Sequence, residues 1–365
     1  SDVYKRQCRG CIATRCVHTC PKDAISIVNH RAVIDHSKCI TCGKCLTACP
    51  YGAIEKNQRP CERGCKAGAI SMGEDKKAFV DPAKCTSCGA CVYQCPFGAI
   101  MDKSFLVDAV EMLKGADKWN YRVYAAVAPS IAGQFAPADL SQVVTGLKLL
   151  GFHDVVEVAL GADMTARREA QELTEKGMLA SSCCPAFVDY VEKNFPEQAH
   201  LISETPSPMV MAARYIKQRD PGKTMGAVDC VLTFEELYAL FESRGLDVAQ
   251  LEDTELDQAS GYGRTFARSG GVAAAVAEAL KEQGSDFALK ANPCSGFEAC
   301  KLAFLKAAKG VGDFNFIEGM GCEGGCVQGP AQLIRSPRNQ GDVERHARQA
   351  EGRTIQNAVE AAQGT

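Results

Sequence analysis

The stretch "LASSCCPAFVDY" (residues 179–190) places two adjacent cysteines, Cys183 and Cys184, directly before a proline. The apolar residues before the pair are typical of a buried strand, and a helical pattern begins at Pro185. Consecutive side chains leave the backbone in different directions, so these two thiols are poorly placed to bind one metal together. We therefore expect the two cysteines to have different functions at a strand-to-helix turn.

Short apolar segments and amphipathic segments alternate along residues 104–335, on both sides of this turn. Strands are predicted at 121–130, 154–160, 178–182, 229–233, 286–292 and 314–320. Helical patterns lie between them, and the one at 138–151 has the capping residue Asp139 near its start and Gly151 at its end. This alternation predicts an α/β fold with parallel sheets that helices cover on both faces. Ligands bind at the carboxyl ends of parallel strands, so the cysteines that follow three of these strands are candidate site residues.

Cysteine is the unusual residue of the composition: the chain has 21, and 14 of them precede residue 96. A disulfide scaffold suits short secreted chains, whereas this chain has 365 residues and no apolar signal-peptide core near its first residue. We therefore expect reduced thiols, a cytoplasmic location and an anaerobic setting. The net charge of −3 does not suggest a nucleic-acid or anionic-membrane partner, and no apolar run is long enough to span a bilayer.

Two copies of the motif C-x2-C-x2-C-x3-C-P, "CITCGKCLTACP" and "CTSCGACVYQCP", predict a ferredoxin-like region with two 4Fe–4S clusters. The ligands predicted from the two copies are Cys39, Cys42, Cys45, Cys49, Cys85, Cys88, Cys91 and Cys95. In this motif three closely spaced thiolates bind one cube and the fourth binds the partner cube. The sequence therefore predicts Cys95 as the fourth ligand of the first cube and Cys49 as that of the second. The segments "YGAIE" and "FGAIM", which follow the two motifs, are predicted as matching short strands.

A looser copy, "CRGCIATRCVHTCP", lies upstream, and a fragment, "CERGC", lies between the two full motifs. Their cysteines are Cys8, Cys11, Cys16, Cys20, Cys61 and Cys65. Six thiols exceed the needs of one cube and fall short of two, so we expect one further 4Fe–4S cluster bound by four of them. The preferred ligands of this cluster are Cys8, Cys11, Cys16 and Cys65. Cys20 is the alternative to Cys65. Alternatively, Cys61 is only a small, buried apolar side chain.

The sequence divides into five predicted segments. They are a cysteine-rich cluster segment at 1–37 to which 58–75 contribute, a two-cluster ferredoxin-like domain at 38–103, a connector helix at 104–120, an α/β domain at 121–340 and a helical tail at 341–365. Residues 1–7, "SDVYKRQ", resemble a recurrent artefact at the ends of translated metagenomic assemblies. The fold prediction therefore begins after them, and an incomplete sequence is an open alternative.

The signatures "SSCCPAF" and "EGMGCEGGCVQGP" (318–330), behind ferredoxin-type motifs, resemble those of the FeFe-hydrogenases. The variants "CCPAF" and "NPCSGFEAC" resemble group B of that family, and the resemblance covers roughly residues 8–335. It implies a ferredoxin-like region followed by a two-lobed α/β domain that binds the H-cluster, a 4Fe–4S cube joined to a two-iron subsite. The implied reaction is the reversible combination of two protons and two electrons to H2. The two-iron subsite carries carbon monoxide, cyanide and an amine-containing dithiolate, and the protein supplies ligation, position and a dry pocket.

The resemblance implies different roles for the paired cysteines. Cys184 and Cys322 match ligands of the cube, and Cys326 matches the thiolate that bridges the cube to the two-iron subsite. Cys183 matches a thiol that binds no metal and passes protons to that subsite.

The resemblance also implies roles for side chains around the cysteines. Pro129 and Ser130 match a turn near a cyanide, and Met320 matches a side chain packed against the two-iron subsite. Glu169 and Glu172, three residues apart on one helix face, match a carboxylate path for protons that Ser203 could join. The alternative for the two carboxylates is an ordinary solvated helix face.

One family signature, P-C-x2-K-x2-E, is missing from "RYIKQRDPGKTMGAVDCVLTFEEL" (214–237), where the resemblance places it. Its absence removes one cube ligand and a lysine. Three explanations compete: an assembly fault in the sequence, a real deletion with a substitute ligand, and a catalytically inactive relative. Cys294 and Cys300 in "NPCSGFEAC" are the candidate substitutes, and Cys230 is a weaker one.

The partners implied by the resemblance are ferredoxin or another redox protein, H2 and protons, and the maturation factors that build the H-cluster. The alternative function is a non-catalytic, hydrogenase-like iron–sulfur protein that senses redox state or H2 or resembles an assembly factor. A plain electron-transfer subunit is a third hypothesis, which the cysteines of the α/β body disfavour.

Overall fold

A computed structural model describes residues 2–5, 8–73, 75, 77–221, 228–350 and 352–364. In this part of the chain the strands are β1 (Asp2–Lys5), β2 (Ile25–Val28), β3 (Arg31–Ile34), β4 (Ile54–Asn57), β5 (Ile70–Met72), β6 (Ala78–Val80), β7 (Tyr124–Val127), β8 (Asp154–Glu157), β9 (Leu179–Ala180), β10 (Ala291–Ser295) and β11 (Phe316–Met320). The helices are α1 (Arg15–His18), α2 (Lys44–Ala48), α3 (Pro60–Gly64), α4 (Ala90–Gln94), α5 (Leu106–Trp119), α6 (Leu140–Leu150), α7 (Val158–Lys176), α8 (Pro185–Asn194), α9 (Pro208–Arg219), α10 (Phe234–Ser243), α11 (Gly261–Thr265), α12 (Gly271–Glu282), α13 (Phe297–Ala308), α14 (Asn339–Arg348) and α15 (Ile355–Gln363).

The iron–sulfur region repeats one small unit twice. In the first unit the antiparallel hairpin β2–β3 is followed by α2, which packs on α1. In the second the hairpin β5–β6 is followed by α4, which packs on α3. Asn29 and His30 join β2 to β3 with φ of 48° and 56°, the left-handed conformation that a two-residue hairpin loop requires.

The predicted strand "FGAIM" is wrong, although its counterpart in the first unit is β4. That strand pairs antiparallel with β1, which lies in the stretch left out of the fold prediction. The described residues supply no such partner for 97–101, and Phe97 there is 89% exposed. A strand without a partner leaves its backbone groups unpaired, so the same sequence pattern does not become a strand.

The α/β body contains two parallel sheets, as predicted. One is the pair β7–β8, and the other has the order β10–β11–β9, with Phe316 opposite both Ala291 and Leu179. Helix α6 occupies the segment predicted for it: the N–H of Asp139 donates to Gln142 Oε1 at 3.0 Å, and Gly151 ends the helix with φ of 107°. The fold class is thereby confirmed.

Helix α7 is the central helix of the body and packs on α9, α11, α12 and α15. Gly161 permits the contact with α9, because a Cβ at this position would lie 2.0 Å from the carbonyl oxygen of Pro208. Helix α7 begins at Val158, so the strand predicted at 154–160 ends at Glu157. This helix carries the two candidate carboxylates.

The strand predicted at 229–233 is wrong. Residues 228–233 contain no strand in the described structure, and Val231 is 57% exposed. Thr233 instead caps α10, since its Oγ1 accepts from the N–H of Glu236 at 3.1 Å. An apolar run predicts a strand only where a neighbour offers a hydrogen-bond ladder, and no described strand pairs with this one.

No helix in the described residues is both long enough and apolar enough to cross a membrane.

Candidate active site

Cys183 and Cys184 face opposite sides of the turn between β9 and α8. Cys183 packs against the core between α7 and α12, which includes Phe266, Val272 and Met320. Cys184 packs against the core of α8 and α13, around Phe187, Phe297 and Cys300. The backbone of Cys184 is extended, with φ of −99° and ψ of 106°, and successive side chains of an extended chain point in opposite directions.

Strand β11 separates the same two cores. Met320 contributes to the core that contains Cys183, whereas Ile317 contributes to the core that contains Cys184. Gly319 faces the second core, where a Cβ would lie 2.2 Å from the ring of Phe187. The structure therefore brings Met320 and Cys183 to one face of the strand, as the resemblance implies.

Cys322 and Cys326 lie on the glycine-rich loop that follows β11. Gly324 and Gly325 have φ of 87° and 92°, and the loop is tied to its surroundings by bonds from Gly324 N to Ser295 Oγ (2.6 Å) and from Val327 N to Ala267 O (3.1 Å). The turn with Pro129 and Ser130 lies beside this loop, because Ala132 packs against Ala267 and Val327.

The thiols around this loop interact electrostatically. Burial first, and then the neighbouring Cys184 and Cys88, raise the pKa of Cys322 to about 11. Desolvation by the surrounding protein, and then Cys184 and Cys322, raise the pKa of Cys326 to about 12, although the residue itself is exposed in part. Two thiols whose ionisation is disfavoured beside the third, Cys184, suit ligands of a cation, since iron would supply the missing positive charge.

The partly buried Cys183 and the fully buried Glu169 interact on the other side of the turn. Burial, and then the charge of Glu169, raises the pKa of the Cys183 thiol well above its ordinary value. Glu169 is fully buried and its pKa is raised to about 8, chiefly by that burial. Its Oε1 accepts from the N–H of Ser182 at 3.4 Å, and its Oε2 has no hydrogen-bond partner in the described structure. Both groups are therefore protonated at neutral pH.

Glu172 lies one turn further along α7 and has the opposite electrostatics. Its carboxylate accepts from Ser203 Oγ at 2.7 Å, Thr205 Oγ1 at 3.0 Å, Lys176 Nζ at 2.8 Å and the N–H of Glu204 at 2.9 Å. Burial alone would raise its pKa, but these bonds lower it to about 2. Ser203 also lies close enough to Glu169 to lower its pKa, so it is a neighbour of both carboxyl groups.

Of the residues that surround the two carboxyl groups, Glu169, Glu172 and Ser203 were predicted, and two others were missed. The prediction did not include Lys176 and Thr205, which hold Glu172. Lys176 lies four residues after Glu172, so helical spacing was a signal for it, whereas Thr205 comes from a different segment and gave none.

Cys294 lies in β10 and Cys300 in α13, and both belong to the core that contains Cys184. The Cys300 Sγ–H lies 3.8 Å from the carbonyl oxygens of Cys294 and Met320, and Cys184 is among the groups that raise its pKa. Cys294 lies 3.5 Å from the carbonyl oxygen of Asn292. Cys230 lies elsewhere, beside Asp108 of α5, which removes it as a substitute ligand.

The N-terminal cysteines surround two hollows of similar size, about 360 and 370 Å³. The lining cysteines of the first are Cys20, Cys39, Cys42 and Cys45. Those of the second are Cys8, Cys11, Cys16 and Cys49. Each hollow thus takes three cysteines from one motif and the last cysteine of the other.

This arrangement differs from the predicted fourth ligand of two clusters. Cys20, and not Cys95, completes the hollow of Cys39, Cys42 and Cys45. Cys49, and not Cys65, completes that of Cys8, Cys11 and Cys16. Each hollow still takes its fourth cysteine from a second motif, but the two motifs are the looser first copy and the first full copy. The looser spacing of the first copy hides its equivalence to the others.

The second unit repeats half of this pattern. Cys65 lies among the groups that raise the pKa of Cys91, together with Cys88. The sulfur of the cysteine that ends each motif accepts a hydrogen bond from the N–H of the alanine four residues later. The sulfur–nitrogen distances are 3.3 Å for Cys20, 3.4 Å for Cys49, 3.2 Å for Cys65 and 3.2 Å for Cys95. Cys65 is therefore the counterpart of Cys20, and Cys61 that of Cys16. Ala53 and Lys56 stand where the second unit would need counterparts of Cys8 and Cys11.

The iron–sulfur region meets the body beside Cys322. Lys193 of α8 donates to the carbonyl oxygen of Cys85 at 2.5 Å, and the guanidinium of Arg335 lies 4.2 Å from the ring centroid of Tyr93. Sequence analysis missed both residues, because contacts between distant segments leave no local pattern. They bring Cys88 close enough to Cys322 to act on its pKa.

All 21 cysteines lie in the described part of the chain, and none forms a disulfide. No three His, Cys, Asp or Glu side chains of the described residues converge as they would on a single metal ion. The four thiolates of a 4Fe–4S cube bind four different irons, so cysteines spaced around a hollow fit a cube better than one ion.

Comparison with known proteins agrees with this architecture. The family "Iron only hydrogenase large subunit, C-terminal domain" matches residues 121–225 and 218–330, more than half of the chain. The 4Fe–4S dicluster domain matches residues 7–53, and the 4Fe–4S binding domain matches 78–101.

Individual relatives are distant. Iron hydrogenase 1 of Clostridium pasteurianum is 26% identical over 397 residues, which cover 87% of this chain and 68% of that protein. The periplasmic [Fe] hydrogenase large subunit of Nitratidesulfovibrio vulgaris is 28% identical over 384 residues, which cover 84% of this chain and 87% of that protein. The solved structure of the [FeFe]-hydrogenase HydA1 of Chlamydomonas reinhardtii shares the fold, with a TM-score of 0.55, 19% identity and coverage of 72% of this chain and 94% of that one. With its ferredoxin-type 4Fe–4S domains in front of that matched body, this chain belongs to the iron-only, or FeFe-, hydrogenase family.

Proposed function

We propose that this protein is an FeFe-hydrogenase that catalyses the reversible conversion of two protons and two electrons to H2. The observation that carries the proposal is the division of the paired cysteines between two cores. Cys184 lies with Cys322 and Cys326, as a cube ligand would, while Cys183 faces Met320 and the buried Glu169. A cube alone does not need a partly buried thiol on its far side.

The H-cluster, when bound, supplies the hydrogen chemistry itself. Cys184, Cys322 and Cys326 would hold its cube and its bridge to the two-iron subsite. Met320 and the turn of Pro129 and Ser130 would shape the pocket and exclude water.

Protons would move along side chains of this chain. Cys183 Sγ holds a proton at neutral pH, and so does the carboxyl of Glu169, whose Oε2 is without a partner in the described structure. Ser203 Oγ would connect that carboxyl to Glu172, which Lys176 places near the surface. A path needs neighbouring groups of different proton affinity, and the raised and lowered pKa values of the two glutamates provide them.

Electrons would pass through three 4Fe–4S clusters. The two N-terminal hollows would hold one cube each, so residues 8–57 would form one two-cluster unit in place of a boundary at 37. The third cube would be bound by Cys65, Cys85, Cys88 and Cys91, next to Cys322. Cys61 and Cys95 remain as the two cysteines of an incomplete fourth site.

These ligand sets predict that Cys65→Ser removes one cube. Iron and acid-labile sulfide should each fall by about four atoms per chain, because a cube needs four thiolates. Cys61→Ser is the matched control, from the same helix–turn segment, and should leave both unchanged. Cys95→Ser should also leave both unchanged, and loss of a cube in that variant would restore the pairing predicted from sequence, in which Cys95 is a ligand.

The missing P-C-x2-K-x2-E signature falls where the family match breaks, at residues 218–225, and residues 222–227 lie outside the described structure. Cys294 and Cys300 remain the proposed substitutes for the absent cube ligand. The proximity of Cys300 to Cys184 favours it over Cys294. The nucleotide sequence across codons 223–228, read from an independent clone, would show whether the segment is missing from the gene.

We further propose that ferredoxin or another redox protein supplies the electrons, that maturation factors build the H-cluster and that the protein is cytoplasmic. The absence of disulfides among the 21 cysteines supports a reducing compartment.

Infrared spectroscopy of protein produced with those maturation factors tests the function. We expect bands of metal-bound carbon monoxide and cyanide, together with H2 evolution from a reduced viologen. Intact 4Fe–4S spectra without those bands would instead support the non-catalytic alternative, a sensor or assembly-factor-like protein.

A further inference from the structure

The charge of the chain is divided unevenly between its two regions. Residues 1–103 contain 16 Lys and Arg against 9 Asp and Glu, a net charge of +7. The whole chain has a net charge of −3, so residues 104–365 carry −10. Three bound cubes with about two negative charges each would bring the first region to roughly +1, still far more positive than the body.

The cations of the iron–sulfur region include residues at the mouths of the two N-terminal hollows. Lys22 and Lys44 line the first hollow, and Arg9 and Arg15 line the second. All four side chains belong to exposed residues, no acidic residue lines either hollow, and no ion pair within the described residues engages any of the four. Their charge is therefore available to a partner.

Exposed apolar side chains lie among these cations. Ile12, directly after Cys11, is 100% exposed, Tyr51 at the second hollow is 61% exposed and Ile40 at the first is 55% exposed. Scattered exposed apolar residues are ordinary, but these three flank cluster-lining cysteines. Apolar contacts ringed by charge are typical of transient protein interfaces.

The position of the hollows fits a point of electron entry. The unit of Cys85–Cys95 is fastened to the body by Lys193 and Arg335, whereas the N-terminal hollows are lined by exposed cations. A carrier that docks over these hollows would deliver electrons to the two N-terminal clusters of the electron path.

We propose that a small acidic electron-carrier protein docks on the surface formed by Arg9, Ile12, Arg15, Lys22, Ile40, Lys44 and Tyr51, over the mouths of the two N-terminal cysteine hollows. This inference rests on the proposed function, since it assumes that both hollows hold clusters. At each encounter the carrier's cluster loses one electron and a cube of this chain gains it, so two encounters supply one H2. The negative body disfavours docking elsewhere, and opposite charges steer the encounter.

The test measures cluster reduction and not H2. A purified acidic bacterial ferredoxin, reduced with dithionite and freed of excess reductant, is mixed with the oxidised holoprotein in a stopped-flow instrument, and bleaching of the cubes is followed. The second-order rate constant should fall as salt concentration rises, because salt screens the attraction. Since no H2 is measured, failure of the hydrogenase function would leave the result interpretable.

The double charge reversal Arg15→Glu/Lys44→Glu should lower this rate constant about tenfold at low salt. The control Lys301→Glu/Lys309→Glu makes the same change of net charge on exposed residues of the body, in and just after α13, and should change the rate less than about twofold. Iron content and visible spectrum must match the unmodified protein in both variants. Reduced methyl viologen, a small cation, should not be slowed by the Arg15 and Lys44 reversals.

An equal loss of rate in the body control, or a rate that rises with salt, would overturn the proposed docking surface. So would a rate unchanged by the reversal of Arg15 and Lys44.

Discussion

Replacing Cys183 with alanine is expected to lower H2 turnover by about 10²–10⁴-fold while iron content stays the same. The thiol is partly buried beside Glu169, and its raised pKa keeps the proton on sulfur until a neighbour takes it. Alanine offers no proton at this position, and Met320, Phe266 and Val272 of the surrounding core have no acidic proton to replace it. Turnover should be measured with a reduced viologen, alongside iron analysis and the infrared bands.

Two variants sharpen this experiment. Cys183→Ser keeps a hydroxyl, but its proton is far less acidic, so activity should lie between alanine and the unmodified protein. Cys230→Ala removes a thiol beside α5, away from the paired cysteines, and should leave turnover unchanged. If Cys183→Ala turned over as fast as the unmodified protein, Cys183 would have no part in proton transfer.

Replacing Arg264 with methionine is expected to cause the largest loss of stability, about 3–5 kcal/mol. The side chains of Arg264 and Glu157 are 1% and 3% exposed, and two guanidinium nitrogens lie 2.8 Å from the two carboxylate oxygens. Methionine fills a similar volume but leaves Glu157 charged and buried without its partner. Because Glu157 directly precedes α7, this ion pair supports the helix that carries Glu169 and Glu172.

The thermal unfolding temperature, measured anaerobically on cluster-loaded protein, should fall by about 10 °C in Arg264→Met. Arg353→Met is the matched control: it removes an arginine that also bonds Asp257, but at a site one-third exposed, and should cost less than about 1 kcal/mol. A smaller loss in the double variant Glu157→Gln/Arg264→Met would show that the unpaired charge causes the effect. Equal stability of Arg264→Met and the unmodified protein would contradict it.

The difference in stability between Arg264→Met and the unmodified protein should depend on pH, in a direction set by Glu157. Burial would raise the pKa of Glu157, but hydrogen bonds from His346 and Arg264 lower it to about 2, from an ordinary value of 4.5. A carboxyl with a lowered pKa stabilises the fold above pH 4.5, and that contribution is lost as the pH falls toward about 2. The Arg264→Met variant lacks the part of this contribution that Arg264 supplies, so the stability difference between the two proteins should narrow between pH 4.5 and pH 2.

Sequence patterns predicted the elements whose signals are local. The helix from Asp139 to Gly151 and the strand ending at Met320 have their capping and apolar signals within a few residues, and both are confirmed. The strand predicted at 229–233 failed because a strand depends on a neighbour elsewhere in the chain. The same limit applies to the site: Lys193 and Arg335 act on Cys85 and Tyr93 across long stretches of sequence.

The paired cysteines mark the other limit. Adjacent thiols before a proline were enough to predict that Cys183 and Cys184 face different surroundings, because the alternation of an extended chain is a local property. Which cysteine of one motif joins which hollow was not predictable, since four similar motifs offer several equivalent exchanges. Only the folded arrangement places Cys20 and Cys49 in each other's hollows.

That exchange constrains how a cell can make this protein. While the nascent chain leaves the ribosome, the first motif alone holds three thiols of one hollow and a single thiol of the other. The first hollow gains its last cysteine at Cys45 and the second at Cys49, so the pair is finished within a few residues of synthesis. The iron-delivery machinery therefore meets either two unfinished sites or two finished ones, and both clusters would be inserted in one stage of biogenesis.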